Sequence, residues 1–95
     1  MNPRAATNLA ACANLGPKSA AVLARCGIAT FADLQRLGAV RAFLQVQRCG
    51  EPASLNLLWA LEGALTGLSW QEVARRHRTS LLLALDDARR HDSAA

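Results

Sequence analysis

Apolar residues recur most densely between Ser54 and Leu68, where Leu55, Leu58, Leu61, Leu65 and Leu68 follow one another at helical spacing. Leu57, Trp59 and Ala64 widen that stripe until only Asn56 and Glu62 are suited to water. A helix apolar nearly all round lies at the centre of a core or in a membrane. This one is shorter than the roughly 20 apolar residues that a bilayer requires. The pattern therefore predicts a central helix, with Ser54 as its N-cap and the Ser54 side chain accepting from the first turn.

The other segments arrange themselves around it. Residues 4–13 are Ala-rich and helix-prone, with Leu9 and Cys12 on one side. Asn14-Leu15-Gly16 breaks that helix, and Pro17 suits the first position of the next, which runs to about Cys26 and buries Ala20, Leu23 and Ala24. Gly27 stops it, and Ile28 is the apolar residue that often follows. Thr30-Phe31-Ala32-Asp33 has the form of a capping box and opens a short helix with Phe31, Leu34 and Leu37 inward, ending at Gly38. Ala39 to Arg48 restarts with Val40, Phe43 and Leu44 on one face, and Gly50-Glu51-Pro52 turns into the central helix. Ser69-Trp70-Gln71-Glu72 reads as a second capping box with Trp70 and Val73 inward. Thr79 onward is a last helix on Leu81, Leu82 and Leu85. No segment alternates with period two, so an all-α bundle of five to six helices is expected. It forms one domain over residues 1–95, its core about 8–86 and residues 91–95 a flexible tail.

Charge alters the picture in one respect. The net charge is +4. Residues 1–53 carry Arg4, Lys18, Arg25, Arg36, Arg41 and Arg48 against Asp33 and Glu51, whereas the rest of the chain balances. A basic half attracts polyanions, nucleic acid above all. Cys12, Cys26 and Cys49 match no zinc spacing, and no secretory signal follows Met1. Reduced, packed thiols, a cytoplasmic location and no metal or cofactor are expected.

The chemistry concentrates in Asn14-Leu15-Gly16-Pro17-Lys18-Ser19. A tight turn entering a helix presents free N–H groups and the positive dipole end at one place. Gly16 allows close approach or a positive φ, and Lys18 adds a charge. This is the design of a helix-hairpin-helix unit, which holds phosphate without reading bases. Asn14 stands where such hairpins usually have Gly, and Asn tolerates the left-handed region. Arg25 and Arg41 are the further candidate contacts. Trp59 and Trp70 read as core, although either could stack on a base. Glu62 reads as paired with Arg36, Arg41 or Arg75. His77 and His91 have no nucleophile beside them, so catalysis is not expected. Both Gly16→Val and Leu61→Ala are predicted to disrupt the fold.

Asn14-Leu15-Gly16-Pro17-Lys18-Ser19, Gly27-Ile28, Asp33-Leu34, Leu37-Gly38-Ala39-Val40, Ser54-Leu55-Asn56-Leu57-Leu58, Ala60-Leu61-Glu62-Gly63-Ala64 and Trp70 together resemble the C-terminal domain of the TfoX/Sxy family. The likeness runs from about residue 8 to residue 86, with Trp59 where Tyr is expected. The resemblance implies a non-enzymatic bacterial regulator connected with DNA-uptake competence. The expected form is a stand-alone version without the family's N-terminal α/β domain. Its expected partner is the phosphate backbone of double-stranded DNA. The alternative is a protein of the transcription machinery, such as a regulator or RNA polymerase, with the hairpin purely structural. A monomer or weak dimer away from membranes completes the expectation.

Overall fold

The computed structural model of the chain describes Leu9 and residues 14–94. Five helices follow in order: α1 (Pro17–Arg25), α2 (Phe31–Arg48), α3 (Leu55–Thr66), α4 (Trp70–Arg76) and α5 (Arg78–Ala94). There is no strand among the described residues, and the fold is all-α. The helix read over residues 4–13 lies outside the described residues except for Leu9, which is buried.

The apolar run does become the centre. Leu58 and Leu61 of α3 are wholly enclosed, and Trp59 and Ala64 are buried beside them. α3 packs against α2 and α4, and α5 packs against α2 and α4 in turn. Around α3 gather Phe31, Leu34 and Phe43 of α2, Val73 of α4, and Leu81 and Leu85 of α5.

Local signals set most boundaries. The Thr30 hydroxyl accepts from the Asp33 N–H at 3.2 Å, while the Asp33 carboxylate accepts from the Ala29 and Thr30 N–H groups at 3.1 and 3.2 Å. Gly38 has φ 80° and ψ 164°, so α2 consists of two helical arms meeting at a kink. That is the stop and restart read from the sequence. Gly27, with φ 87°, ends α1, and the Ile28 N–H reaches back to the Leu23 carbonyl at 2.9 Å while Ile28 enters the core.

Several expectations are corrected. Ser54 occupies the N-cap of α3, yet its side chain makes no capping hydrogen bond. Only half of the second capping box forms. The Ser69 hydroxyl accepts from the Glu72 N–H, but the Glu72 carboxylate turns to Arg75 and Arg76. Glu62 is half-buried and has no ion pair among the described residues: Arg36 pairs with Asp33, Arg75 with Glu72, and Arg41 lines the same groove without an ion pair to it. α5 continues through Ala94, over residues read as a tail. Cys26 and Cys49 are joined as a disulfide, with Cα atoms 5.7 Å apart. Their separation of 23 residues carries no local signal. Only the packing of α1 against the end of α2 brings them together.

Candidate nucleic-acid interface

Asn14 has φ 71°, the left-handed conformation that its position in the turn requires. Leu15 then drops into the core, and Gly16 follows in extended conformation as the N-cap of α1. The helix closes its first turn with the Ala20 N–H donating to the Gly16 carbonyl at 2.9 Å. No side chain caps this end, and Pro17 has no N–H to satisfy. The N–H groups of Lys18 and Ser19 therefore face outward, available to water or a ligand.

This helix end opens into a groove of about 580 Å³. Lys18, Ser19 and Val22 of α1 form one wall; Pro52, Ser54, Asn56 and Leu57 at the start of α3 form another. Ala60 lies at its base and Trp70, the first residue of α4, at its rim. Two helix N-termini without side-chain caps thus meet in one concavity, and each contributes the positive end of its dipole. Among the described residues no carboxylate side chain lines it. Lys18 is exposed and has no carboxylate partner among the described residues. The groove combines polar donors from two helix N-termini with the exposed Trp70, a combination suited to an anion carrying a flat ring.

Residues 5–85 match the family described as the TfoX C-terminal domain. The chain belongs to that family. The solved structure of an uncharacterized protein from Listeria monocytogenes, in its triclinic crystal form, is similar to it. The two share 29% identity and a TM-score of 0.72, over 79% of this chain and 85% of that one. No curated protein matches the chain.

Within this TfoX domain the residues singled out from the sequence have different duties. Lys18 and Ser19 line the groove through α1. Asn14 also borders it, but both ends of its amide are engaged: Nδ2 donates to the Leu68 carbonyl at 2.7 Å, and Oδ1 accepts from the Trp70 N–H at 2.9 Å. Asn14 is a clasp between the turn and the α3–α4 connection. Leu15 is buried, so its side chain packs and cannot meet a ligand. Gly16 has φ −105° rather than a positive value, and an added Cβ there would meet nothing within 4 Å. The fold alone does not require glycine at this position.

Arg25 and Arg41 do not join the groove. Arg25 lies at the far end of α1, about 10 Å along the helix axis from Lys18 at the helical rise per residue, and its Nε meets Glu51 at 2.7 Å. The bond holds the Arg25 guanidinium above its ordinary pKa and the Glu51 carboxyl below its own. Asp33 is held lower too, chiefly by the backbone N–H groups of Ala29 and Thr30. Arg41 lines a second groove of about 890 Å³ between α2, α3 and α5, where Glu62, Asp87 and His91 stand opposite.

Sequence reasoning missed Trp70, which is 41% exposed instead of inward. It also missed Ser54 and Asn56 as groove residues. The available signal was composition: α4 is a single short amphipathic segment, and Val73 alone satisfies its buried side. Nothing local indicates which of the two apolar residues wins.

Proposed function

We propose that this TfoX domain is a non-enzymatic regulatory module that holds the phosphate backbone of nucleic acid at the groove between Lys18 and Trp70. The role is allied to the DNA-uptake competence regulators that the family resemblance implies. The observation that carries this reading is the convergence of two uncapped helix N-termini on Lys18 in a groove without acids. Backbone donors and a fixed positive potential favour phosphate. Contacts of this kind hold without reading sequence, so affinity is modest and strongly dependent on salt.

Fluorescence anisotropy with labelled duplex DNA tests it. With about three phosphates neutralised, raising salt from roughly 50 to 200 mM weakens binding about 40-fold. Lys18→Glu abolishes the low-salt binding, with circular dichroism showing that the variant remains folded. Arg41→Glu changes net charge equally but lies in the other groove, and it leaves binding within about twofold. Equal losses in both variants, or no binding by the wild type at low salt, would exclude this groove as the site.

A second reading is favoured by the larger groove. Arg41 faces Glu62, Asp87 and His91 there, beside Leu37, Leu44, Leu65 and Leu81. Mixed charge around an apolar floor suits a protein segment from the transcription machinery better than a polyanion. Contact through it would tolerate salt and survive Lys18→Glu.

A further inference from the structure

We propose that Cys26 and Cys49 form a reversible dithiol–disulfide couple, exchanged through Cys49, that fastens or frees the C-terminal end of α1. The inference stands apart from nucleic-acid binding and rests on the way α1 is held. The close helix pairs of the fold are α2 with α3, α3 with α4, α2 with α5 and α4 with α5. α1 buries Leu23 in the core and is tied by polar and covalent contacts near its two ends. At the front, Asn14 clasps the α3–α4 connection. At the back, the contacts converge on the end of α2: the Cys26–Cys49 bond, the Gln45 amide donating to the Cys26 carbonyl at 2.6 Å, and Arg25 on Glu51.

The two cysteines differ in exposure. Cys26 is buried at 8% exposure beneath the α1–α2 connection, whereas Cys49 is exposed at the C-cap of α2. Thiol–disulfide exchange requires in-line attack by a thiolate on a reachable sulfur. A low-molecular-weight thiolate of the glutathione class attacks Cys49 Sγ. The protein S–S bond breaks, and Cys26 Sγ leaves with the electron pair and takes up a proton. A second thiolate attacks the outer sulfur of the mixed disulfide, releasing the small-molecule disulfide and the Cys49 thiolate, which is then protonated. The sum is protein disulfide plus two thiols giving protein dithiol plus one small disulfide, and an excess of the small disulfide drives it back. Reclosure needs little movement, because the Cα separation of 5.7 Å lies within the range a disulfide spans.

The test equilibrates the purified protein with mixtures of reduced and oxidised glutathione, followed by alkylation and peptide mass spectrometry. Oxidising mixtures are expected to yield a Cys26–Cys49 linked peptide with Cys12 alkylated, and reducing mixtures three alkylated cysteines, with the same midpoint from both directions. In Cys26→Ser, Cys49 takes up glutathione at least about 10-fold faster than Cys26 does in Cys49→Ser, as their access dictates. Reduction of the wild type speeds amide hydrogen exchange over residues 20–28 by about 10-fold or more while leaving α3 unchanged. Absence of the 26–49 link at every mixture, or a link through Cys12 instead, overturns the couple. Equal uptake at the two sulfurs overturns Cys49 as the exchange site, and unchanged exchange in α1 overturns the fastening. The wild-type measurements decide the couple and the fastening even if a serine variant fails to fold.

Discussion

Asn14 shows how one side chain can be both a turn residue and a structural tie. Its φ of 71° admits few residues without strain, and its amide joins two backbone groups of the α3–α4 connection. Asn14→Ala loses both bonds and keeps the left-handed strain, so it is expected to cost about 2–4 kcal/mol. Asn14→Gly loses the bonds but relieves the strain, and urea denaturation should place it between the wild type and Asn14→Ala. Gly63 belongs to the same tie: a Cβ there would stand 2.5 Å from Asn14 Nδ2 and 2.7 Å from the Leu68 carbonyl oxygen. Gly63→Ala should therefore destabilise by about 1–3 kcal/mol, and the pair of substitutions should be non-additive, since they share the Leu68 contact. At Gly16, where the sequence predicts that Val disrupts the fold, a single added Cβ meets no neighbour. With open space at its Cβ and an ordinary φ, Gly16→Ala should leave the melting temperature nearly unchanged. If phosphate sits at the α1 N-terminus, that substitution nonetheless weakens DNA binding in the anisotropy measurement.

At the scale of the helices, local chemistry decides where each one starts and stops. The Thr30–Asp33 box seats α2, and Asp33 and Glu51 both have their carboxyls held below ordinary values in the folded chain. Between the folded and unfolded pKa values, the unfolded chain binds more protons. The contribution is therefore fully present above the unfolded carboxylate pKa of about 4 and is lost as pH falls through the lower folded values. Thermal melts from pH 6 downward should show stability falling below about pH 4, and Asp33→Asn should flatten that fall. The Thr30–Asp33 box, the Ser69 half of the second box and the Gly38 break were legible in the sequence, because each depends on residues within four positions of one another. The Ser54 cap was legible only as a position. Whether a serine hydroxyl completes its hydrogen bond depends on the geometry of the incoming chain, and here Ser54 lines the groove without capping.

For the whole molecule, α3 is the element on which the core depends. Leu61 is fully enclosed, and Leu61→Ala should cost about 2–5 kcal/mol in chemical denaturation. Among the described residues no helix is long and apolar enough to cross a membrane. Among the described residues, the basic residues of the first half are divided between different surroundings. Arg25 and Arg36 are neutralised by Glu51 and Asp33, and Arg41 turns to the α2–α3–α5 groove. Among the described residues Lys18 is the cation of the first half that lines the hairpin groove, which is why the binding test rests on it.

By itself the sequence determined the five helices of the described residues to within their ends, their breaks at Gly27 and Gly38, the central place of α3 and the family, since these follow from periodicity, capping and short motifs. Tertiary structure decided which groups meet. Leu68 and Trp70 reach Asn14 across more than 50 positions, at separations of 54 and 56 residues. Cys26 finds Cys49, and Lys18 shares a groove with Ser54, Asn56 and Trp70. Helical spacing tells a residue which face it occupies, but not what stands opposite. Trp70 is exposed and Glu62 has no arginine ion pair among the described residues for the same reason: the neighbouring helices fixed their surroundings only once α2, α4 and α5 had closed around α3.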